Sequence, residues 1–364
     1  MIARVPTALA LFSGGLDSIL AARIIQDQGI RVRCLHFVSP FFGDADLIAR
    51  WEHLYGLEIT AMNIGSDVVR LLREGPRYGY GKVMNPCVDC KILMLRTARD
   101  LLAQWDADFV ISGEVVGQRP MSQRRDALNL IRRETGLGDR LLRPLSALQL
   151  PPTPMEKEGI VDRGRLFGFF GRGRKQQLQL AARCGLTEIP TPAGGCRLAD
   201  RENARRYWPV LTCLDDPGVA DFRLANTGRQ AWTRTNPEDG AAPDCWLSVG
   251  RNQADNEALL TLAGPDDAVF KAADVPGPVG LGRLGAAWNP ILRTDAAAFV
   301  VSFAPKAVDL AAQGKEVDVE VSMAGCTELV RVIPARATPA AWGIADWGSV
   351  RDAIRAVNRM GSSL

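Results

Sequence analysis

Ala8-Leu9-Ala10-Leu11-Phe12-Ser13-Gly14-Gly15-Leu16-Asp17-Ser18 is the stretch that decides the fold. Its five apolar residues read as a short buried strand. The periodic run from Ile19 to Gln28, halted by Gly29, reads as a helix. A glycine loop between strand and helix turns backbone N–H groups and a helix N-terminus toward one point, which is an anion site. Gly14 and Gly15 let the backbone approach a phosphate closely, and the hydroxyls of Ser13 and Ser18 can donate to it. An aspartate beside phosphates is repulsive unless a divalent cation lies between them, so Asp17 is the candidate magnesium ligand. A Walker Gly-Lys-Ser/Thr ending and a dinucleotide G-x-G-x-x-G are both missing, which argues against ordinary P-loop hydrolysis and against nicotinamide binding.

Outward from this loop the pattern repeats. Val32 to Val38, Ile59 to Ile64 and Phe109 to Ser112 read as strands, with helices over Ala45 to Tyr55 and Lys91 to Gln104. Such alternation predicts an α/β fold with a doubly wound parallel sheet and right-handed crossovers, whose ligands lie at the C-terminal strand ends. The proline-rich Gln149 to Pro154 and the helical period at Leu178 to Ala182 continue this domain. Composition shifts near Cys213 to Gly218, and valine-rich strands with glycine or proline turns then run to about Pro334 as a C-terminal α+β domain. The expected domains are therefore 1–212, 213–338 and a tail, 339–364, with two tryptophans and a helical pattern. A chain of 364 residues is long enough for two domains.

The chain is 47% hydrophobic and 23% charged, and no stretch of 18 apolar residues occurs, which predicts a protein that does not enter membranes. The N-terminal residues lead straight into the first strand, as a domain begins and not as a secretory signal ends, so a cytoplasmic location is expected. In that compartment eight cysteines read as metal, redox or catalytic candidates plus core packing, not as a disulfide framework. Asn85-Pro86-Cys87-Val88-Asp89-Cys90-Lys91 puts two thiols just before a helix, whose dipole favours thiolate. The glycine turn Ala193-Gly194-Gly195-Cys196 can bring a third thiol near. The C-x-x-C pair suits zinc, a dithiol pair or an iron–sulfur cluster, and three cysteines with an open position suit a cluster that binds an external ligand. With only His36 and His53 in the chain, a histidine completing a zinc site is not expected. Cys34, Cys184, Cys213, Cys245 and Cys326 stand alone and are assigned to core packing.

Ser-Gly-Gly-x-Asp-Ser after an N-terminal strand resembles the PP-loop ATP pyrophosphatases, which adenylate an oxygen of their substrate and release pyrophosphate. The resemblance implies ATP at Ser13, Gly14, Gly15, Asp17 and Ser18, with Mg2+ at Asp17. Asn-Pro-Cys-x-x-Cys with a distant cysteine is similar to the transfer-RNA thiolases of that family. It implies a 4Fe-4S cluster on Cys87, Cys90 and Cys196 whose free iron holds the sulfur to be transferred. The segment Ile111 to Gln123 resembles the Gly-Glu…Gly-Gln…Ser-Gln segment of 4-thiouridine synthases, which implies that Gly113, Gln118, Ser122 and Gln123 line the nucleotide site.

Net charge is only +3, but Arg119, Arg124, Arg125, Arg132, Arg133, Arg140 and Arg143 fall close together, and Arg172, Arg174 and Lys175 form a second cluster; such patches can track RNA. Val249 to Glu257 and Asp274 to Pro278 resemble the NFACT-R type RNA-binding domain, with Asn252 capping a helix and Arg251 facing phosphate. Together these features predict an ATP-dependent sulfurtransferase that thiolates a uridine in tRNA, taking sulfur from sulfide or a persulfide carrier. Cys87, Cys90, Cys196 and Asp17 are its catalytic candidates. Sulfur or amide transfer to a small molecule and a non-catalytic RNA-binding factor are the rival readings. The oligomeric state is not legible.

Overall fold

The computed structural model describes residues 4–190, 195–233, 245–283 and 288–361. The chain divides into two compact units, Met1–Asp200 with Ala356–Leu364, and Arg201–Arg355.

In the first unit the order is β1 (Thr7–Phe12), α1 (Leu16–Gln26), β2 (Arg31–Val38), α2 (Ile48–Tyr55), β3 (Glu58–Asn63) and α3 (Gly65–Glu74). There follow α4 (Cys87–Gln104), β4 (Phe109–Ser112), α5 (Arg125–Glu134), β5 (Leu141–Leu142), α6 (Pro154–Lys157) and α7 (Lys175–Arg183). The five strands lie in the order β3-β2-β1-β4-β5, all parallel. Every residue of β1 is buried, because helices cover both faces of a parallel sheet. Ala8, Ala10 and Phe12 pack with Ile19, Leu20 and Ile25 of α1 in the main core. The chain builds β2 and β3 on one side of β1 and then crosses to β4 and β5 on the other. Order therefore reverses between β1 and β4, and a crevice forms beyond their carboxyl ends at such a switch point. The doubly wound α/β expectation holds. The first helical turn begins at Leu16 and not at Ile19, and the stretch from Ala45 opens as a 3-10 turn before α2.

The second unit holds α8 (Arg201–Cys213), α9 (Val219–Asn226), β6 (Arg229–Trp232), β7 (Trp246–Val249), α10 (Gln253–Leu262), β8 (Ala268–Ala272) and β9 (Gly280–Arg283). It continues through α11 (Pro290–Val301), α12 (Pro305–Ala312), β10 (Val317–Met323) and β11 (Cys326–Val332), and the last helix, α13 (Trp347–Gly361), begins in this unit and ends among the residues counted with the first. Its six strands form an antiparallel sheet in the order β11-β10-β8-β9-β7-β6. Alternate residues Val317, Val319 and Val321 of β10 point to one core with Phe270, Trp288 and Val300. Asp295 of α11 fixes the segment after β11 by accepting from Thr338 Oγ1, Ala340 N and Trp342 Nε1 at 2.6, 3.0 and 2.7 Å. Among the described residues no helix is long and apolar enough to cross a membrane.

Candidate active site

The glycine loop lies at the end of β1, at the switch point. Gly14 takes φ +72°, a left-handed conformation that side chains disfavour, and a Cβ there would lie 2.5 Å from Cζ2 of Trp51. Trp51 is held in turn by edge contacts to His36 and Phe12, with centroids 4.9 and 5.5 Å away. His36 is buried. Its Nε2 accepts from Asp44 N at 2.9 Å, so the proton belongs on Nδ1, which faces Phe12 O at 3.1 Å. Burial pulls its pKa below the ordinary value.

Ser18 is buried, donates to Gly15 O at 2.7 Å and accepts from Ser13 N at 3.3 Å, so its hydroxyl braces the loop from inside. Ser13 is exposed, and Gly15 caps α1 without a side-chain bond, leaving the loop surface to a ligand. Gly113, just past β4, is where two backbones meet: a Cβ would fall 2.4 Å from Asp17 O and 2.7 Å from Ser18 N. The resemblance put Gly113 in the lining of the nucleotide site; its position makes it the contact that lets β4 abut the first turn of α1.

Asp17 ends a largely buried chain of side chains centred on Gln118. Its Oδ2 accepts from Gln118 Nε2 at 2.6 Å, and Gln118 Oε1 accepts from Gln177 Nε2 of α7 at 3.1 Å. Asp17 Oδ1 is buried with no partner, and so are Gln177 Oε1 and Gln123 Oε1. An uncompensated carboxylate oxygen beside a phosphate loop fits a hard cation such as Mg2+. Gln118 is thereby a neighbour of Asp17, and the loop after it is closed by Gly117 N donating to Gln123 O at 2.7 Å. Ser122 is buried in that loop.

Cys87 and Cys90 occupy the first turn of α4 rather than preceding it, and Asn85 Nδ2 donates to Cys87 Sγ at 3.1 Å. Cys196 is delivered by the chain on either side of it. Arg197 N donates to Phe41 O at 2.8 Å, and Met84 N donates to Leu198 O at 3.1 Å, which ties the segment to the residues just before Cys87. Ala193 and Gly194 of the expected turn lie outside the described residues. The thiols bear on one another. Burial, then the charges of Cys196 and Cys87, push the Cys90 thiol well up, and burial with Cys87 raises Cys196 to about 11. At Cys90 the expectation of a helix-lowered thiol is corrected, because desolvation and like charge outweigh the dipole there. Among the described residues no three His, Cys, Asp or Glu side chains close on a single ion.

Two cations bear on the thiols, a role not expected of either: Arg119 was assigned to an RNA-tracking patch and Lys91 was only the end of the cysteine motif. Arg119, next to Gln118 and exposed, lowers Cys196, and Lys91 acts likewise on Cys90 and on Glu114. Glu114 is a buried carboxylate: burial raises its pKa, but Arg143 above all, with Lys91 and Ser112, brings it below the ordinary value. Glu114 Oε2 accepts from Arg143 Nε at 3.0 Å and from Ser112 Oγ at 2.8 Å. Arg143 is only 4% exposed, so its expected place in an RNA-tracking patch is corrected to a structural ion pair. Arg124 and Arg132 are matched to Asp126 and Asp139 on the surface. Of the lone cysteines, Cys34 and Cys245 are buried, whereas Cys326 is exposed on β11, so the packing assignment fails there. Asn252 caps α10 as expected, its side chain accepting from Asp255 N at 2.9 Å. Arg251 is turned to Asp255, at 2.6 and 3.2 Å, and not outward to phosphate.

Residues 5–171 match the family model described as ThiI, thiamine biosynthesis protein. A probable tRNA sulfurtransferase of Aeropyrum pernix is 29% identical over 193 residues, covering 51% of this chain and 44% of its own. Another, of Finegoldia magna, is 31% identical over 146 residues, covering 38% and 35%. The chain thus spans less than half the length of these relatives. A solved 4-thiouridine synthetase, in complex with RNA and bound ATP, overlaps at a TM-score of 0.36 and 19% identity, over 57% of this chain and 52% of that one. The match over residues 5–171 falls on the first unit and takes in the Ser-Gly-Gly-x-Asp-Ser loop at the switch point of its parallel sheet, so this unit is similar to the ThiI family.

Proposed function

We propose that the chain is an ATP-dependent sulfurtransferase that thiolates a uridine in tRNA. One arrangement carries the reading: Gln118, beside Arg119, donates to Asp17 of the phosphate loop, while the bonds of Arg197 N to Phe41 O and of Met84 N to Leu198 O hold Cys196 near the end of β2 and the residues before Cys87. Nucleotide chemistry and sulfur chemistry would therefore share one crevice. The similarity to tRNA sulfurtransferases supports the same reaction.

The loop from Ser13 to Ser18 would hold the ATP phosphates, with the free Asp17 Oδ1 as the ligand for Mg2+. The uridine carbonyl oxygen attacks the α-phosphate; the new O–P bond forms as the bond to the β-phosphate oxygen breaks and pyrophosphate leaves. Sulfur then adds at the activated carbon, and AMP departs with the former carbonyl oxygen. Arg119, exposed beside Gln118, would steady the negative charge of the phosphates and of the incoming sulfur. Cys87, Cys90 and Cys196, three thiols that bear on one another with no histidine beside them in the sequence motif, would be the ligands of a 4Fe-4S cluster. Held there, the cluster would supply an open position for sulfide, added as such or released from a persulfide carrier by a thiol reductant. Asn85, donating to Cys87, steadies the first thiolate. The second unit, with its NFACT-R-like segment, would dock the RNA.

Anaerobically purified protein incubated with ATP, Mg2+, sulfide and unmodified tRNA is expected to release pyrophosphate and AMP and to leave a thiolated uridine in the nuclease digest. Cys90→Ala should abolish the thiolated nucleoside. Full activity of that variant, or an iron-free and colourless anaerobic preparation that still thiolates, would remove the cluster from the scheme. Amide formation with ammonia in place of sulfide would move the chain to the amide-forming branch.

A further inference from the structure

Most arginines of the second unit are neutralised at home. Arg251 pairs with Asp255, Arg283 with Asp221 and Asp267, Arg293 with Glu328 and Arg331 with Asp318. Arg229, at the start of β6, and Arg336, beyond β11, are arranged otherwise. Both are exposed, and both guanidinium groups lie over the ring of Phe303, at 4.7 and 3.5 Å from its centroid. Among the described residues neither has a carboxylate within ion-pair reach. Each is instead aimed by a backbone carbonyl: Arg229 Nη1 donates to Gly250 O at 2.9 Å, and Arg336 Nε to Ser302 O at 3.2 Å.

Two permanent cations on one aromatic ring repel each other. Burial and then the charge of Arg229 pull Arg336 below the ordinary arginine value, yet a guanidinium does not release its proton, so both charges remain. Each fork keeps N–H donors that neither the ring nor the carbonyl uses, and such forks match phosphate oxygens two at a time. Their orientation is fixed in advance, so little side-chain entropy is lost when an anion arrives. The carbonyl that aims Arg229 belongs to Gly250, in the Gly-Arg-Asn turn that opens α10. Arg251 of that turn is occupied by Asp255, so the outward charge passes to its neighbour across the strand.

We propose that Arg229 and Arg336, mounted on Phe303, are the pair through which the second unit grips the phosphodiester backbone of RNA, in place of Arg251. The proposal rests on the reading of the chain as an RNA-modifying enzyme and names the contact that reading leaves open. Backbone contacts of this kind position a nucleic acid without reading its sequence, which suits a docking unit distinct from the chemistry.

The test uses the full chain and a fluorescein-labelled unmodified tRNA transcript, titrated by anisotropy over a series of KCl concentrations. Each neutralised phosphate contributes a slope of about 0.7 to 0.9 in log K against log [salt], so R229A/R336A should flatten the slope by about 1.5. R229K/R336K should keep most of it, R251A should keep all of it, and R336E alone should weaken binding more than R336A. An unchanged slope in R229A/R336A, an equal loss in R251A, or a wild-type chain that binds no RNA would overturn the proposal. Recovery of binding by wild-type against an acidic peptide but not RNA would overturn it in favour of a protein partner. Loss of slope with no thiolated uridine made by the wild-type chain would leave this surface standing and remove the thiolation reading, so the two failures are separable.

Discussion

Asp17 illustrates how much one residue's role depends on partners remote in sequence. Its carboxylate is positioned by Gln118, and Gln118 by Gln177, a largely buried line of side chains from α1, the loop after β4 and α7. Gln177 lies on α7, outside the glycine loop, yet replacing it with leucine removes the bond that holds Gln118 toward Asp17. Changing residues that orient a metal ligand commonly weakens metal binding about 10- to 100-fold. Gln177→Leu is accordingly expected to raise the Mg2+ concentration for half-maximal pyrophosphate release by about that factor, with Gln177→Asn nearer wild type. An unaltered Mg2+ dependence in the leucine variant would deny Gln177 this role. His36 offers a pH test. Its folded-state pKa is lowered by burial, so the neutral ring stabilises the fold fully above the ordinary value of 6.5, and that contribution is lost as pH falls below 6.5 toward the lowered native value. Denaturant unfolding of the wild type should show stability declining through this window, and His36→Asn should be less stable at neutral pH with a shallower decline. Identical pH slopes in the two proteins would refute the assignment.

Among the elements, the β1–loop–α1 unit was legible because everything that makes it is local: a run of apolar residues, two glycines and a helical period. The close approach at Gly113 was not, since it depends on β4 lying beside β1. Gly113→Ala forces a methyl group into the backbone of Asp17 and Ser18 and must push α1 from β4. The expected result is a loss of ATP binding of at least tenfold by equilibrium dialysis, given that displacements of about 1 Å in a positioned site have effects of about 100-fold. Unimpaired nucleotide binding would mean that the loop tolerates the shift. The helix α4 shows the opposite balance. Its N-terminus was expected to ease thiol ionisation, but at Cys90 the burial and mutual charge of the cysteines dominate, and both were visible only once Cys196 was brought beside the pair.

On the scale of the molecule, each of the two units has its own buried cluster, one around α1 and β1 and one around β10 and α11. Asp295 is a weak point of the second, because three donors of the 338–342 segment converge on its one carboxylate. Asp295→Ala leaves those donors without their acceptor and is expected to destabilise the second unit by about 3 kcal/mol, in the range of hydrogen bonds to a charged group left unmade. Chemical denaturation checks this, and a change within experimental scatter would show that the segment is held by Trp342 packing alone. From the amino-acid order alone the parallel sheet and the glycine loop at its edge could be read, because strand and helix periods and glycine turns are set by near neighbours. Only the tertiary structure decided who meets whom: Gln177 with Gln118 and Asp17, Cys196 with Cys87 and Cys90, Arg336 with Arg229. Those meetings follow from strand order and chain crossing, which act over a hundred residues and leave no period to read.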